Sequence, residues 1–302
     1  MIPTSSYEYR AFGLNIASAI RLDGLLPSSG EPDVQIREGR LPVEIPGPET
    51  EPACARIGED GFAFRVPEIG RFLVTGDSIL VEKDERNGTD SHLLFVLGTC
   101  MGALLMQRSL LPVHGSALQV GDKHIILTGE SGAGKSTLAA AFNRRGYSFL
   151  ADDVSALEEK GDGSFEIVPA FPRQKLWRDT AEHFFGSAEG LERIPGSRDK
   201  YHVPMEGLFI TEPRRADALF QLSVHEGDDV RVTPVTGPDK LAILMNNVYR
   251  PEIVGIFGRE REHFLKCARL ASRLSVYKVE RPAAGFTVEQ QIRAIEEQLN
   301  QG

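Results

Sequence analysis

The sequence predicts an α/β fold whose core is preceded by a β-rich region. Three observations predict it. The front of the chain, residues 1–90, holds short runs in which apolar and polar residues alternate, the period of a half-buried strand. Residues 124–145 read as an apolar strand, a glycine-rich turn and an alanine-rich helix in direct succession. Downstream, strand-like runs alternate with helix-like ones.

Taken in order, "DVQIRE", "GFAFRV" and "FLVTGDSILVEK" alternate, and the "TGD" in the last marks a hairpin. "LPVEIPGPETEP" at 41–52 is a Pro- and Gly-rich loop. "LLFVLGTCMGALLM" at 93–106 is the most apolar stretch; it is short for a membrane span and is followed by Gln107 and Arg108. It reads as part of a buried helix over about 91–109. "HGSALQV" and "KHIILTG" are strands around a Gly-Asp turn. A helix from Ser136 to Arg145 stops at Gly146. "YSFLA" is a strand, "VSALEE" and "FEIVPA" form a hairpin about "KGDG", and "LWRDTAEHFF" is a helix with Trp177 and Phe185 facing the core.

"IPGSRDKYHVP", with Lys200, Tyr201 and His202, reads either as a segment that closes over a site or as a surface loop. "ALFQLSV", "DVRVTPV" and "SVYKVE" are strands; helices cover about 238–248, 260–272 and 287–299, the first ending before Pro251. The expected division is a β-rich region at 1–90 and a core at 91–302 with a helical C-terminal part.

Composition narrows the function classes. The chain has 302 residues, 41% hydrophobic and 25% charged, as in an ordinary globular protein. Its net charge of -9 argues against nucleic acid or an anionic membrane as partner. Cys54, Cys100 and Cys267 lie far apart in no pair motif, as expected of isolated thiols in a reducing cytoplasm. "MIPTSSYEYRAFG" lacks the basic head and apolar run of a signal peptide, so a cytoplasmic location is expected.

Gly129-Glu130-Ser131-Gly132-Ala133-Gly134-Lys135-Ser136, followed by Thr137, matches the phosphate-loop pattern G-x-x-x-x-G-K-[ST] in full. The glycines let the backbone curl so that several N–H groups face one anion. The helix that follows aims its positive end at the same anion. Lys135 is placed to reach the β- and γ-phosphates, and the Ser136 hydroxyl to ligate magnesium. ATP or GTP binding follows. The N-K-x-D motif of GTPases and the L-S-G-G-Q motif of transporter ATPases are both missing from the sequence. Asp152 and Asp153 instead come directly after the strand that follows the loop helix, at a strand end where ligands of α/β sheets sit.

"HGSAL", "GESGAGKST" and "RRGYSFLADDV" together resemble the HPr kinase/phosphorylase family, closely over about 112–158 and loosely elsewhere. The resemblance implies a P-loop kinase core, ATP and Mg2+ as cofactors, and a serine hydroxyl of a protein or peptide as acceptor. It implies Asp152 as the base on that hydroxyl, His114 as its orienting partner, and Ser136 and Asp153 as metal ligands. "PAFPRQKLWRD" at 169–179 departs from the family's glycine-rich signature, which puts phosphorolysis and HPr itself in doubt. Arg173 and Lys175 there are candidates to neutralise the transferring phosphate, or else solvated charges at a helix start. The layout is similar to that of HPr-kinase-like proteins of ribosomal peptide pathways, one branch of which phosphorylates the C-terminal serine of lasso-type precursor peptides. A small-molecule kinase and a non-enzymatic ATP-sensing module are the alternatives; the oligomeric state is left open.

Overall fold

In the computed structural model, residues 7–86, 88–195 and 199–301 are described. The chain forms two compact units: Met1–Leu110 with Ile194–Arg198 and Arg250–His263, and Leu111–Arg193 with Asp199–Tyr249 and Phe264–Gly302.

The first unit holds an eight-stranded sheet in the order Leu26–Pro27, Tyr7–Ala11, Leu14–Ser18, Val34–Glu38, Ser78–Lys83, Gly70–Thr75, Gly61–Val66 and Ala53–Ile57. The alternating runs behave as expected: Phe72 and Val74 point inward while their neighbours are half-exposed. The apolar stretch is helical over His92–Phe95 and Met101–Gln107, with a π-type turn at Val96–Cys100 between them. Among the described residues, no helix is long and apolar enough to cross a membrane.

The second unit is built on a mixed sheet. Its central strand, Lys123–Gly129, pairs antiparallel with Leu111–Val120 and parallel with Ala218–His225, which pairs parallel with Ser275–Pro282. The carboxyl ends of three strands therefore share one edge with the amino end of Leu111–Val120. Phe149–Ala151 and Val154–Glu159 both pair with Leu111–Val120, the latter with His114 opposite Val154. Helices Lys135–Arg144 and Val288–Asn300 bury Leu138, Phe142, Ile292 and Ile295 in one cluster with Leu127, Phe149 and Phe220. That burial anchors the helix whose first turn carries the phosphate loop.

Several elements depart from expectation. "PRQKLW" is a strand, Arg173–Trp177, and the helix is shorter, Arg178–Phe185. Lys200–Pro204 is the strand paired with it, not a loop, and Gly196, Ser197 and Arg198 lie outside the described residues. Period-two alternation explains the side chains: Gln174 and Leu176 are buried, so Trp177 faces out. Trp177 is 48% exposed beneath Lys200 Nζ, 4.7 Å from its ring centroid, and Phe185 is also exposed. Neither is a core residue. Pro251 starts a helix, Pro251–Phe257, rather than merely following one.

Candidate active site

The central strand ends where the chain must turn sharply. Gly129 has φ 139°, and a Cβ there would lie 2.4 Å from Leu222 O on the neighbouring strand, so only glycine fits. Gly132 and Gly134 take φ 85° and 103°, and helix Lys135–Arg144 starts directly after them. The turn thus sits at the positive end of a helix, which favours a phosphate. Lys135 Nζ donates to Gly129 O at 2.7 Å and Glu130 O at 3.0 Å. Burial lowers its pKa, while the charges of Asp153 and Asp152 act the other way.

The two aspartates fall in a break of the ladder. Ala151 stands opposite Ala117, pairing resumes at Val154 opposite His114, and Asp153 takes φ 68° between them. Aspartate tolerates that left-handed geometry better than most residues. The twist sends the adjacent carboxylates to different partners. Asp152 Oδ1 accepts from Ser116 Oγ at 2.7 Å, and Oδ2 from the Lys175 backbone N–H at 2.8 Å. Asp152 is buried, and burial followed by the neighbouring Asp153 charge raises its pKa above the ordinary 3.8. Asp153 Oδ2 accepts from Lys175 Nζ at 2.9 Å. Burial opposes the charge of Asp153, but Lys175 outweighs it and holds its pKa down to about 2. Two carboxyl groups whose affinities for a proton are driven apart form an acid–base pattern.

His114 is fixed through its backbone N–H to Asn247 O at 2.7 Å, and its Nδ1 lies 3.1 Å from Asp153 O. Burial lowers its pKa, which favours the neutral ring, while the charge of Asp153 acts the other way. Thr128 Oγ1 lies 2.7 Å from both His114 O and Asn247 Oδ1. The glycine after His114 is required because a Cβ on Gly115 would meet Leu127 O at 2.5 Å.

A cleft of about 380 Å³ joins these groups. Of the residues singled out in the sequence, His114, Ser131, Gly132, Gly134, Lys135, Ser136, Thr137, Asp152, Asp153, Trp177 and Lys200 line it. Gly129, Glu130 and Ala133 complete the loop without lining the cleft. Lys175 acts on the site through the carboxylate of Asp153. Arg173, two residues earlier, is paired with Glu192 and is not among the described lining residues. Both stand on a strand, not at a helix start.

Ser136 and Asp153 offer hard oxygen donors on one cleft. Magnesium at nucleotide sites uses one or two such ligands with phosphates and water, so the pair fits that ion. Among the described residues, no cluster of three His, Cys, Asp or Glu would hold a metal by itself.

Other contributors were not foreseen. Ser116 holds Asp152. Gln174, on the strand that also carries Lys175, donates from Nε2 to Ser136 O at 3.1 Å and steadies the loop helix. Arg281 Nε donates to Ala133 O at 3.1 Å, binding the loop to the strand Ser275–Pro282. Ser116 was legible within "HGSAL", but Gln174 and Arg281 come from distant segments with no motif.

No known family profile matches the chain. A 49-residue stretch, 16% of the chain, is 43% identical to the HPr kinase/phosphorylases of Pelodictyon phaeoclathratiforme, Chlorobium luteolum and Chlorobaculum tepidum. The match spans 15%, 15% and 14% of those relatives' lengths. Among solved structures, the Hpr(Ser) kinase/phosphatase from Coxiella burnetii is similar at 11% identity and a TM-score of 0.33, over 63% of this chain and 90% of that one.

Proposed function

We propose that the chain is an ATP-dependent, HPr-kinase-like enzyme that phosphorylates a serine hydroxyl of a peptide or protein. The observation that carries the proposal is the placement of Asp152, buried with a raised pKa, on the same cleft as the phosphate loop. The local 43% identity to HPr kinase/phosphorylases supports it.

In the proposed reaction the loop and Lys135 hold the phosphates. The acceptor oxygen attacks the γ-phosphorus, the bond to the bridging β–γ oxygen breaks, and the hydroxyl proton passes to Asp152. Ser116 Oγ and the Lys175 N–H each occupy one Asp152 oxygen, fixing the carboxylate while leaving lone pairs for the incoming hydroxyl. Such a transition state is loose, so position and charge neutralisation matter more than basicity. Magnesium held by Ser136 and Asp153 would neutralise charge on the phosphates. His114 and Lys175 set the place of the Asp153 carboxylate.

The finer reading makes the acceptor the C-terminal serine of a lasso-type precursor peptide. It rests on the order of motifs in the sequence: β-rich front, apolar helix, "HGSAL", loop, "ADD", "KLW". The departure at 169–179 is the reason to prefer it over HPr.

The test is incubation of the purified protein with magnesium-ATP and serine-ended peptides, read by mass spectrometry. A gain of one phosphate or more on the terminal serine is expected. Asp152→Asn should lower transfer about 10²–10⁴-fold, the usual share of a general base, with ATP binding retained. Full transfer by that variant would remove Asp152 from the mechanism. Phosphorylation of metabolites but of no peptide would make this a small-molecule kinase. ATP binding without any transfer would make it a sensor.

A further inference from the structure

The wall of the cleft beside the aspartates carries two side chains that the chemistry above does not use. Strand Arg173–Trp177 pairs with Lys200–Pro204, and Trp177 stands opposite Lys200 at the end of that pairing. Lys175 and Trp177 share a face of their strand, with Cα atoms about 7 Å apart. The Lys175 N–H holds Asp152 Oδ2 and its Nζ holds Asp153, which fixes where an acceptor hydroxyl is received. Trp177 and Lys200 line the cleft next to that point.

Three properties fit this pair to a substrate group. Trp177 leaves nearly half of a large apolar side chain open to the cleft and solvent. Lys200 Nζ rests over its ring, and that cation–π contact holds the ammonium in place, so less freedom is lost when an anion binds. Burial and nearer charges act first on Lys135 and Asp153, and the Lys200 charge then pushes both pKa values down. The ammonium is therefore felt on both sides of the point where phosphate and acceptor meet. The other cations of this sheet are committed, Lys175 to Asp153 and Arg173 to Glu192. Asp179, which also lines this wall, has its Oδ1 engaged by the Thr180 N–H at 2.6 Å.

We propose that Trp177 and Lys200 form the acceptor subsite, in which Lys200 binds the α-carboxylate of a C-terminal serine and Trp177 packs against the apolar residue before it. In a terminal serine the hydroxyl and the carboxylate are borne on adjacent carbons. A hydroxyl received at Asp152 therefore brings the carboxylate within reach of a flexible lysine on the neighbouring strand. Asp152 and Asp153 repel that carboxylate, and the ammonium of Lys200 offsets them. An internal serine carries a neutral peptide group in the same place and gains nothing from Lys200. The subsite thus selects the end of a chain over its interior. The inference rests on the serine-kinase reading of the cleft and names the group by which that site recognises its acceptor.

Trp177 is the single tryptophan of the chain, so its emission reports on this wall. The test titrates the full chain, with magnesium and a non-hydrolysable ATP analogue present, with acetyl-Ala-Leu-Ser as free acid, as amide, and extended by an aspartate amide. The emission should shift, and the free acid should bind about tenfold more tightly than the amide, as one charge-assisted hydrogen bond at a partly exposed site allows. In Lys200→Met that ratio should fall to near one, and in Lys200→Arg most of it should remain. Equal affinity for acid and amide, or no binding of any of the three, overturns the proposal. Aspartate-amide binding as tight as the free acid overturns it too, because the carboxylate read would then be a side chain's. A Lys200→Met variant that loses affinity for the ATP analogue but keeps the acid preference makes Lys200 a phosphate ligand and overturns it as well. With ATP, equal transfer to acid and amide removes the subsite and leaves the kinase. Preference for the free acid with no transfer leaves the subsite and removes the kinase.

Discussion

Asp152 and Asp153 are neighbours in sequence and opposites in chemistry. Asp152 holds its proton more tightly folded than unfolded, because burial and Asp153 raise its pKa above 3.8. Its contribution to stability is therefore present below that pH and is lost as pH rises through its raised value. At neutral pH its charge is a net cost, so Asp152→Asn is expected to melt at or above the parent temperature although transfer is lost. Calorimetric melting at pH 7 checks this; a lower melting temperature contradicts it. The acid limb of the transfer rate should lie above pH 3.8, where Asp152 takes up its proton. Asp153 behaves in reverse. Its pKa is held at about 2, so its pairing with Lys175 stabilises fully above 3.8 and loses that effect as pH falls through about 2. Removing Lys175 leaves a half-buried charge unpaired, with the Asp153 side chain 30% exposed. Lys175→Met should cost about 1–3 kcal/mol at pH 7, below the full penalty for a buried pair because of that exposure. Adding Asp153→Asn should recover at least half, measured by urea denaturation; no recovery would mean that Lys175 acts through packing. The pair of aspartates was legible in the sequence because both follow a strand directly. Which one is charged was not, since Lys175 lies 22 residues from Asp153 and Ser116 lies 36 from Asp152.

At the scale of elements, local signals read well and reversals read badly. The strand, loop and helix over 123–144 were legible because period, glycine spacing and alanine content agree. The hairpin of Tyr7–Ala11 and Leu14–Ser18 was missed because its turn uses Phe12 at φ 52° beside Gly13, and phenylalanine carries no turn signal. Helix Pro251–Phe257 is hidden in the sequence because a proline ordinarily marks a helix end. Arg250 at φ 53° turns the chain so that Pro251 occupies the first helical position, where its absent N–H is not needed. Strand Arg173–Trp177 was hidden by its charges, which tertiary contacts satisfy: Lys175 by Asp153 and Arg173 by Glu192. Strand spacing also makes a prediction. Gly115→Ala would push a Cβ against the Leu127 carbonyl, and backbone on both sides leaves no flexible end to yield. The expected loss is about 1–3 kcal/mol, as for an overpacked core. Gly161→Ala, in an open turn with nothing within 4 Å of its added Cβ, should change stability by less. Equal effects in denaturant would show that the approach of Gly115 to Leu127 relaxes at little cost.

The whole chain carries a net charge of -9, while Lys135, Lys200 and Arg281 all line the cleft. A polyanionic nucleotide would therefore be repelled by the chain's overall charge and held by local groups, which act within roughly 8 Å at physiological salt. Every described residue lining the cleft belongs to the second unit. A ligand bound there stabilises the unit that forms the site by about 2.7 kcal/mol at a hundredfold excess over Kd. Hydrogen exchange with magnesium-ATP should accordingly slow at 114–116, 129–137 and 281–291, with strands 34–38 and 61–83 of the first unit unchanged. Protection spread equally over both units would mean that nucleotide binding is not a property of the second unit alone.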